Sequence, residues 1–278
     1  AGAAERGGNG MKRKILMVLF ILAAVALIGF SAWQIISILR ERYISREEYD
    51  RARESYVSAI QPKEDAEEEP TETDPFPDLE IDIEGLLAKN PDFVAWLYYE
   101  DAEISYPVVQ ESADEVNKYL KTTFEGTENS AGCVFMPYDA DEAFRYMNTF
   151  IYGHNMKEGS MFGQLKNVFR KPDEAKNPYF YIWTKDGEAI RYRVIAAYVV
   201  EHDSEMYSIP LTDDAYQQYL SAVLELGSMD GYVPFTEEEE TAMEESSPIV
   251  TLSTCYGSAG TSKRLLIQGI EIERRTVA

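Results

Sequence analysis

Many short β-rich segments with few helices predict a mostly β domain with added helices, a barrel or a sandwich, preceded by one membrane-spanning helix. Three features carry that expectation. Residues 15–39 run without a charged side chain. From residue 79 onward, short apolar runs recur between turn residues. Finally, Lys185-Asp186-Gly187-Glu188 separates two β-rich stretches, which is a hairpin signal.

Residues 1–10, before Met11, read as a remnant or an upstream extension and are set aside from fold reasoning. The span 11–40 reads as an uncleaved signal-anchor. Its apolar run from Ile15 to Leu39 spans about 37 Å as a helix, more than the roughly 30 Å of hydrocarbon in a bilayer. Lys12, Arg13 and Lys14 precede it, and Arg40 and Arg42 follow. Basic residues flank both ends, so charge alone does not set the orientation. The span 41–78 reads as a juxtamembrane helix and an acidic tether. Ser45 and Glu48 have capping-box spacing, and Tyr49, Ala52, Tyr56 and Ala59 repeat at helical intervals. Residues 61–77 then carry seven Asp/Glu and four prolines, too little apolar surface to offset the cost of ordering.

The span 79–278 is expected to be the folded domain. Its predicted elements are a helix over 81–88 and strands over 104–109, 132–136 and 149–152, followed by the hairpin strands 179–184 and 189–200. Ile190, Tyr192 and Val194 alternate with Arg191 and Arg193, which predicts a strand buried on one face. Thr212 is placed to cap a helix with Tyr216, Tyr219, Leu220 and Val223 on one side, and Gly227 is placed to stop it. Strands over 248–253 and 265–272 close the chain.

Composition narrows the chemistry. Of 278 residues, 45% are hydrophobic and 12% aromatic, which excludes a wholly disordered or fibrous chain. Net charge is −23, with 26 basic and 49 acidic side chains. Residues 1–53 hold nine basic and five acidic of these, so the rest is strongly acidic and is a poor partner for nucleic acid. Two cysteines and two histidines are too few for a disulfide scaffold or a Cys/His metal site, so no metal and no cofactor is expected. The acidic runs 67–69 and 237–240 read as solvated surface rather than calcium ligands.

Cys255 ends the run Ile249-Val250-Thr251-Leu252-Ser253-Thr254-Cys255 and opens into a glycine-containing loop. A thiol at a strand rim can meet a substrate, although free cysteines are commonly buried and inert. Cys133, in an apolar run, fits that inert role. A Cys133–Cys255 disulfide is a third option outside the cell. His154 follows a predicted strand and the small Gly153, whereas His202 lies in a polar stretch and reads as a surface residue. Arg264 begins the last strand, where an arginine is ordinarily a solvated flank.

Taken together, these residues resemble the sortase family of cysteine transpeptidases. The Thr-Leu-x-Thr-Cys of that family is similar to Thr251-Leu252-Ser253-Thr254-Cys255, its histidine falls on His154, and its arginine falls on Arg264. Tyr152-Gly153-His154-Asn155-Met156-Lys157-Glu158-Gly159-Ser160-Met161-Phe162-Gly163 and Ile104-Ser105-Tyr106-Pro107-Val108-Val109-Gln110 look like class B. Arg264-Leu265-Leu266 also resembles pilus-building members, and the acid that some class B members carry after the cysteine is Tyr256 here.

The resemblance covers residues 79–274 and implies an eight-stranded sortase-type β-barrel. It also implies a thiol nucleophile at Cys255, an acid–base at His154 and oxyanion stabilisation by Arg264, with Ser253 and Thr254 lining a substrate groove. The implied partners are secreted proteins with a C-terminal sorting signal, an amine of the cell wall or a pilin lysine, and the lipid bilayer through residues 15–39. The implied location is the outer face of a Gram-positive cell membrane. Two other readings remain at this stage: a membrane-tethered cysteine protease using water as acceptor, and a non-catalytic surface module in which Cys255 is structural.

Overall fold

The computed structural model describes residues 5–59, 76–174, 177–257 and 260–277, with side chains from residue 13 onward. The chain divides into two units, residues 1–44 and 45–278.

In the first unit, helix α1 (Glu5–Tyr56) begins and carries the apolar run. An 18-residue window within it has a mean hydropathy of 2.8 and none of it is buried against protein. Leu19, Phe20, Leu27 and Ile28 are all exposed. A helix of that length and composition is long enough to cross a bilayer.

The last turns of α1 belong to the second unit and differ from the expectation in one respect. Ser45 and Glu48 do not start a new helix; α1 runs through them unbroken, and both are buried. Tyr49 and Ala52 are buried at the expected helical interval, while Ala59 lies in strand β1 (Val57–Ala59) instead. β1 pairs with β2 (Leu79–Ile81), and α2 (Ile83–Lys89) follows. Most of the expected tether, residues 60–75, lies outside the described residues.

Eight further strands close into a barrel: β3 (Phe93–Tyr99), β4 (Ile104–Gln110), β5 (Val134–Met136), β6 (Asn148–Tyr152), β7 (Tyr179–Thr184), β8 (Glu188–Glu201), β9 (Ile249–Cys255) and β10 (Lys263–Thr276). Their order around the barrel is β10-β8-β7-β3-β4-β5-β6-β9. β4–β5 and β6–β9 pair in parallel and the rest antiparallel. Helices α3 (Leu165–Arg170), α4 (Asp213–Gly227) and α5 (Glu237–Glu244) occupy the connections.

Alternation sorts side chains into two cores. Val250 and Leu252 of β9, Leu265 and Ile267 of β10, and Tyr192 and Val194 of β8 enter the main core. Ile249, Leu266, Ile270 and Ile195 belong to a second core with Tyr216, Tyr219, Leu220 and Val223 of α4. The Thr212 hydroxyl caps α4 by accepting from the Ala215 N–H at 3.2 Å.

Three expectations are revised by this packing. β3 was not foreseen, because Phe93–Tyr99 is buried on nearly every residue and lacks alternation. Gly227 does not stop α4 through a left-handed turn: it is the last helical residue, and a Cβ there would lie 2.2 Å from the Ala197 carbonyl oxygen. β8 is not open on its arginine face. Arg193 is fully buried, and its Nε lies 3.0 Å from Glu239 Oε2 on α5, so the run 237–240 is not simply solvated.

Candidate active site

Strand register builds the site. Arg264 of β10 is the direct partner of Cys255 of β9, one antiparallel step beyond Leu265–Thr254 and Leu266–Ser253. Directly opposed residues project to the same face with Cβ atoms about 4.5–5.5 Å apart. Cys255 therefore shares a face with Ser253 and Thr251, the outer face that α4 covers lower down. Beneath the cover this face holds a polar network. Asn148 accepts from the Thr251 hydroxyl at 2.7 Å, and Gln268 donates to Thr251 at 2.8 Å and to the Tyr219 hydroxyl at 2.6 Å. All these groups are buried, and each has a partner. Loss of one partner in such a network costs about 1–3 kcal/mol, which fixes the β6–β9–β10 register from below.

The parallel pairing of β6 with β9 brings the histidine to the cysteine. Tyr152 lies beside Ser253, and the chain continues alongside β9 because the Gly153 N–H donates to the Ser253 carbonyl at 3.2 Å. The Thr254 hydroxyl donates to the Gly153 carbonyl at 2.7 Å. Gly153 is required by close approach: a Cβ there would sit 2.7 Å from the Phe162 ring. His154 comes next, and the Asn155 side-chain amide donates to the Cys255 carbonyl at 2.7 Å.

Cys255, His154, Arg264, Ser253 and Thr254 all line one cavity of about 370 Å³, together with Leu120, Phe135, Tyr152 and Glu111. Cys255 is exposed, and His154 and Arg264 are half-buried. His154 Nε2 lies 2.8 Å from the Leu120 carbonyl oxygen. A carbonyl only accepts, so Nε2 carries a proton in this arrangement and Nδ1 is the nitrogen left to exchange one. Arg264 Nη1 donates to the Thr261 and Lys263 carbonyls at 2.9 and 3.0 Å. Among the described residues no carboxylate forms an ion pair with Arg264, unlike Arg191, Arg193 and Arg274. In a chain with this excess of acid, a cation without an acidic partner beside a thiol is a donor available to a developing negative charge.

The flanks of the cavity are largely structural. Ser253 and Thr254 are buried, with the Ser253 hydroxyl 2.7 Å from the Tyr207 hydroxyl, so they reach the cavity only at its wall. Burial pushes the pKa of the Tyr207 hydroxyl above its ordinary value, against the lowering effects of the Ser253 bond and Arg264. Tyr256 packs edge-on to Phe169 and accepts from Arg170 Nε at 3.2 Å, bracing the loop after the cysteine.

The remaining sequence candidates lie apart from this chemistry. Cys133 is fully buried, donates weakly to the Pro107 carbonyl, and has its thiol pushed up by burial to about 12. Both cysteines are free thiols, so the disulfide option is not realised. His202 is exposed, with its backbone N–H on the Ser262 carbonyl. Glu111, Leu120, Asn155 and Tyr207 had no individual signal in the sequence. They reach the site through loops, and Leu120 acts through its backbone.

A profile of the sortase domain matches residues 97–271. The chain belongs to the sortase family. It is 31% identical to sortase B of Listeria monocytogenes over 68% of this chain and 73% of that protein. It is 26% identical to sortase B of Staphylococcus aureus over 66% and 72% of the two chains. Among solved structures, sortase B from Bacillus anthracis in complex with AAEK1 superposes with a TM-score of 0.64 at 25% identity, covering 85% of this chain and all of that one. A class B sortase of Streptococcus pyogenes involved in pilus biogenesis gives 0.55 at 28% identity, over 68% and 97%. This sortase is of class B type, a cysteine transpeptidase on an eight-stranded closed barrel.

Proposed function

We propose that this class B sortase is held at the outer face of a Gram-positive cell membrane by the apolar part of α1. There it takes the C-terminal sorting signal of secreted proteins as acyl donor and passes the acyl group to an amine of the cell wall or a pilin lysine. The observation that carries the residue assignment is the direct pairing of Cys255 with Arg264 at the rim of a cavity that His154 also lines. The location rests on the length and hydropathy of α1 together with the family.

In this reading the Cys255 thiol proton passes to His154 Nδ1 as Sγ adds to the carbonyl carbon of the sorting signal, while Arg264 hydrogen-bonds the oxygen as it gains charge. The carbon–nitrogen bond breaks and His154 Nδ1 gives its proton to the leaving amine, which leaves a thioester. An incoming amine then adds to the thioester carbon and its proton passes to Nδ1. The carbon–sulfur bond breaks and Nδ1 returns the proton to Sγ, which restores the thiol. Two steps of moderate height replace one amide exchange. Ser253 and Thr254 shape the groove wall. The pilin-lysine acceptor has support in the likeness to the pilus-associated relative from Streptococcus pyogenes.

The test is mass spectrometry of the full chain mixed with a panel of sorting-signal peptides, with and without an amine. The expected result is a thioester on Cys255 and, at high amine concentration, mostly amide product. Acylation elsewhere, or none with any peptide, sinks the assignment. Hydrolysis product alone at high amine concentration supports the protease reading instead.

A further inference from the structure

Two buried carboxylates outside the reaction hold the same loop. Glu111 follows β4 and is only 6% exposed; its N–H donates to the Met136 carbonyl at 3.0 Å. The backbone N–H groups of Asn117 and Tyr119 favour its charged form against the effect of burial, while its Oε1 has no hydrogen-bond partner among the described residues. Asn117 is left-handed, with φ 67°, and starts the single 3₁₀ turn Lys118–Leu120. Leu120 closes that turn and presents its carbonyl to His154.

The second carboxylate is Glu48 on α1, 2% exposed. Its Oε2 accepts from the Thr123 hydroxyl and its Oε1 from the Glu125 N–H, both at 2.9 Å. One residue on, the Tyr49 hydroxyl donates to the Gly132 carbonyl at 2.5 Å. The loop is tied to itself between these points. The Cys133 N–H reaches the Tyr119 carbonyl at 2.9 Å, and the Asn129 N–H reaches the Lys121 carbonyl at 2.8 Å. Asn90 at the end of α2 donates to the Phe124 carbonyl at 2.9 Å. Leu120 is thus flanked by anchors on both sides, and each anchor that is a carboxylate is desolvated.

We infer that Glu111 and Glu48 are positioning residues for His154: they clamp the loop of residues 117–133 so that the Leu120 carbonyl fixes the imidazole with Nε2 protonated and Nδ1 toward the cavity. The inference rests on the reading of His154 as the acid–base. It adds that the helix following the apolar run helps to orient the catalytic histidine. A carbonyl on a loosely held loop selects neither ring orientation nor tautomer, and it is the buried charge-assisted bonds that hold this one.

With only two histidines in the chain, the readout is direct. The full chain is labelled with ¹⁵N in its histidine rings and studied in detergent, with His202→Asn used to assign the signals. His154 should show the chemical shifts of a fixed Nε2–H tautomer. Glu111→Ala, and separately Glu48→Ala, should move these toward the tautomer-averaged shifts of an exposed histidine, while Glu111→Gln and Glu48→Gln, which keep an acceptor, should restore much of the fixed pattern. Tyr49→Phe removes one hydroxyl only and serves as the anchor variant that keeps the fold if the alanine variants do not; it should shift His154 in the same direction. Unchanged His154 shifts in variants that remain folded overturn the inference. Loss of acyl transfer in His154→Ala is a separate measurement: if transfer survives there, the acid–base reading fails whatever the spectra show.

Discussion

Cys133 and Cys255 show how placement sets the chemistry of one residue type. Cys133 is fully buried and burial pushes its thiol up to about 12, so it is a poor nucleophile at neutral pH. Cys255 is exposed at the end of β9 with Arg264 as its cross-strand partner. Iodoacetamide at neutral pH should therefore modify one thiol in the folded protein, at Cys255, and both in denaturant, as counted by intact mass. Fast labelling of Cys133 in the native protein would contradict the burial argument. The sequence distinguished these two cysteines for a simple reason. One lies inside an apolar run, and the other ends a run and meets a glycine-containing loop. It said nothing of Glu111 or Leu120, because a carboxylate bonded to backbone N–H groups and a carbonyl on a turn have no side-chain pattern to read.

Among the elements, α5 shows the largest gap between pattern and packing. Four consecutive glutamates look like solvent-facing charge, yet Glu239 completes a capping box with Thr236 and pairs with the buried Arg193 of β8. The Tyr179 hydroxyl also donates to Glu239 at 2.6 Å, and Phe235 covers the guanidinium. Removal of one member of a buried pair strands the other charge, so Glu239→Ala should destabilise the fold by about 3–5 kcal/mol. Glu238→Ala, one residue away and exposed, should cost less than about 1 kcal/mol. Urea unfolding of both variants decides: equal effects would mean that Glu239 is not buried as described. The hairpin strands β7 and β8, helix α4 and the strand ends that carry His154 and Cys255 were legible, since alternation, caps and turn residues are local signals. Strand β3 was not, because a strand buried on both faces loses its alternation.

Over the whole molecule, acidic side chains outnumber basic ones 49 to 26, and the buried and half-buried carboxylates respond to pH in opposite senses. Burial holds Glu48 and Glu111 above the ordinary value of 4.5, so each is harder to ionise in the folded protein than in the unfolded chain. Their cost to stability is absent below that ordinary value and fully present once pH exceeds the raised one. Asp92 behaves oppositely. Burial alone would raise it, but bonds from Tyr119 and Lys118 hold it lower, so its contribution is present above the ordinary aspartate range and is lost as pH falls through its depressed value. Melting temperatures of wild type and Glu48→Gln between pH 4 and 8 should therefore differ most in favour of wild type at the acid end, with the gap narrowing toward neutral pH. A gap that widens with rising pH would show that burial does not raise the pKa of Glu48.

The sequence by itself determined the apolar helix, the mostly β domain, and the thiol, imidazole and guanidinium that line one cavity. Those are matters of local pattern and of scarce residue types. Only the tertiary structure decided that β6 lies parallel to β9 and that Cys255 pairs with Arg264, which brings together groups a hundred residues apart. Only it decided that Glu48 is bound to the loop whose Leu120 carbonyl meets His154. Strand partners and loop anchors depend on which surfaces exclude water from each other, and that is a property of the closed barrel rather than of any segment within it.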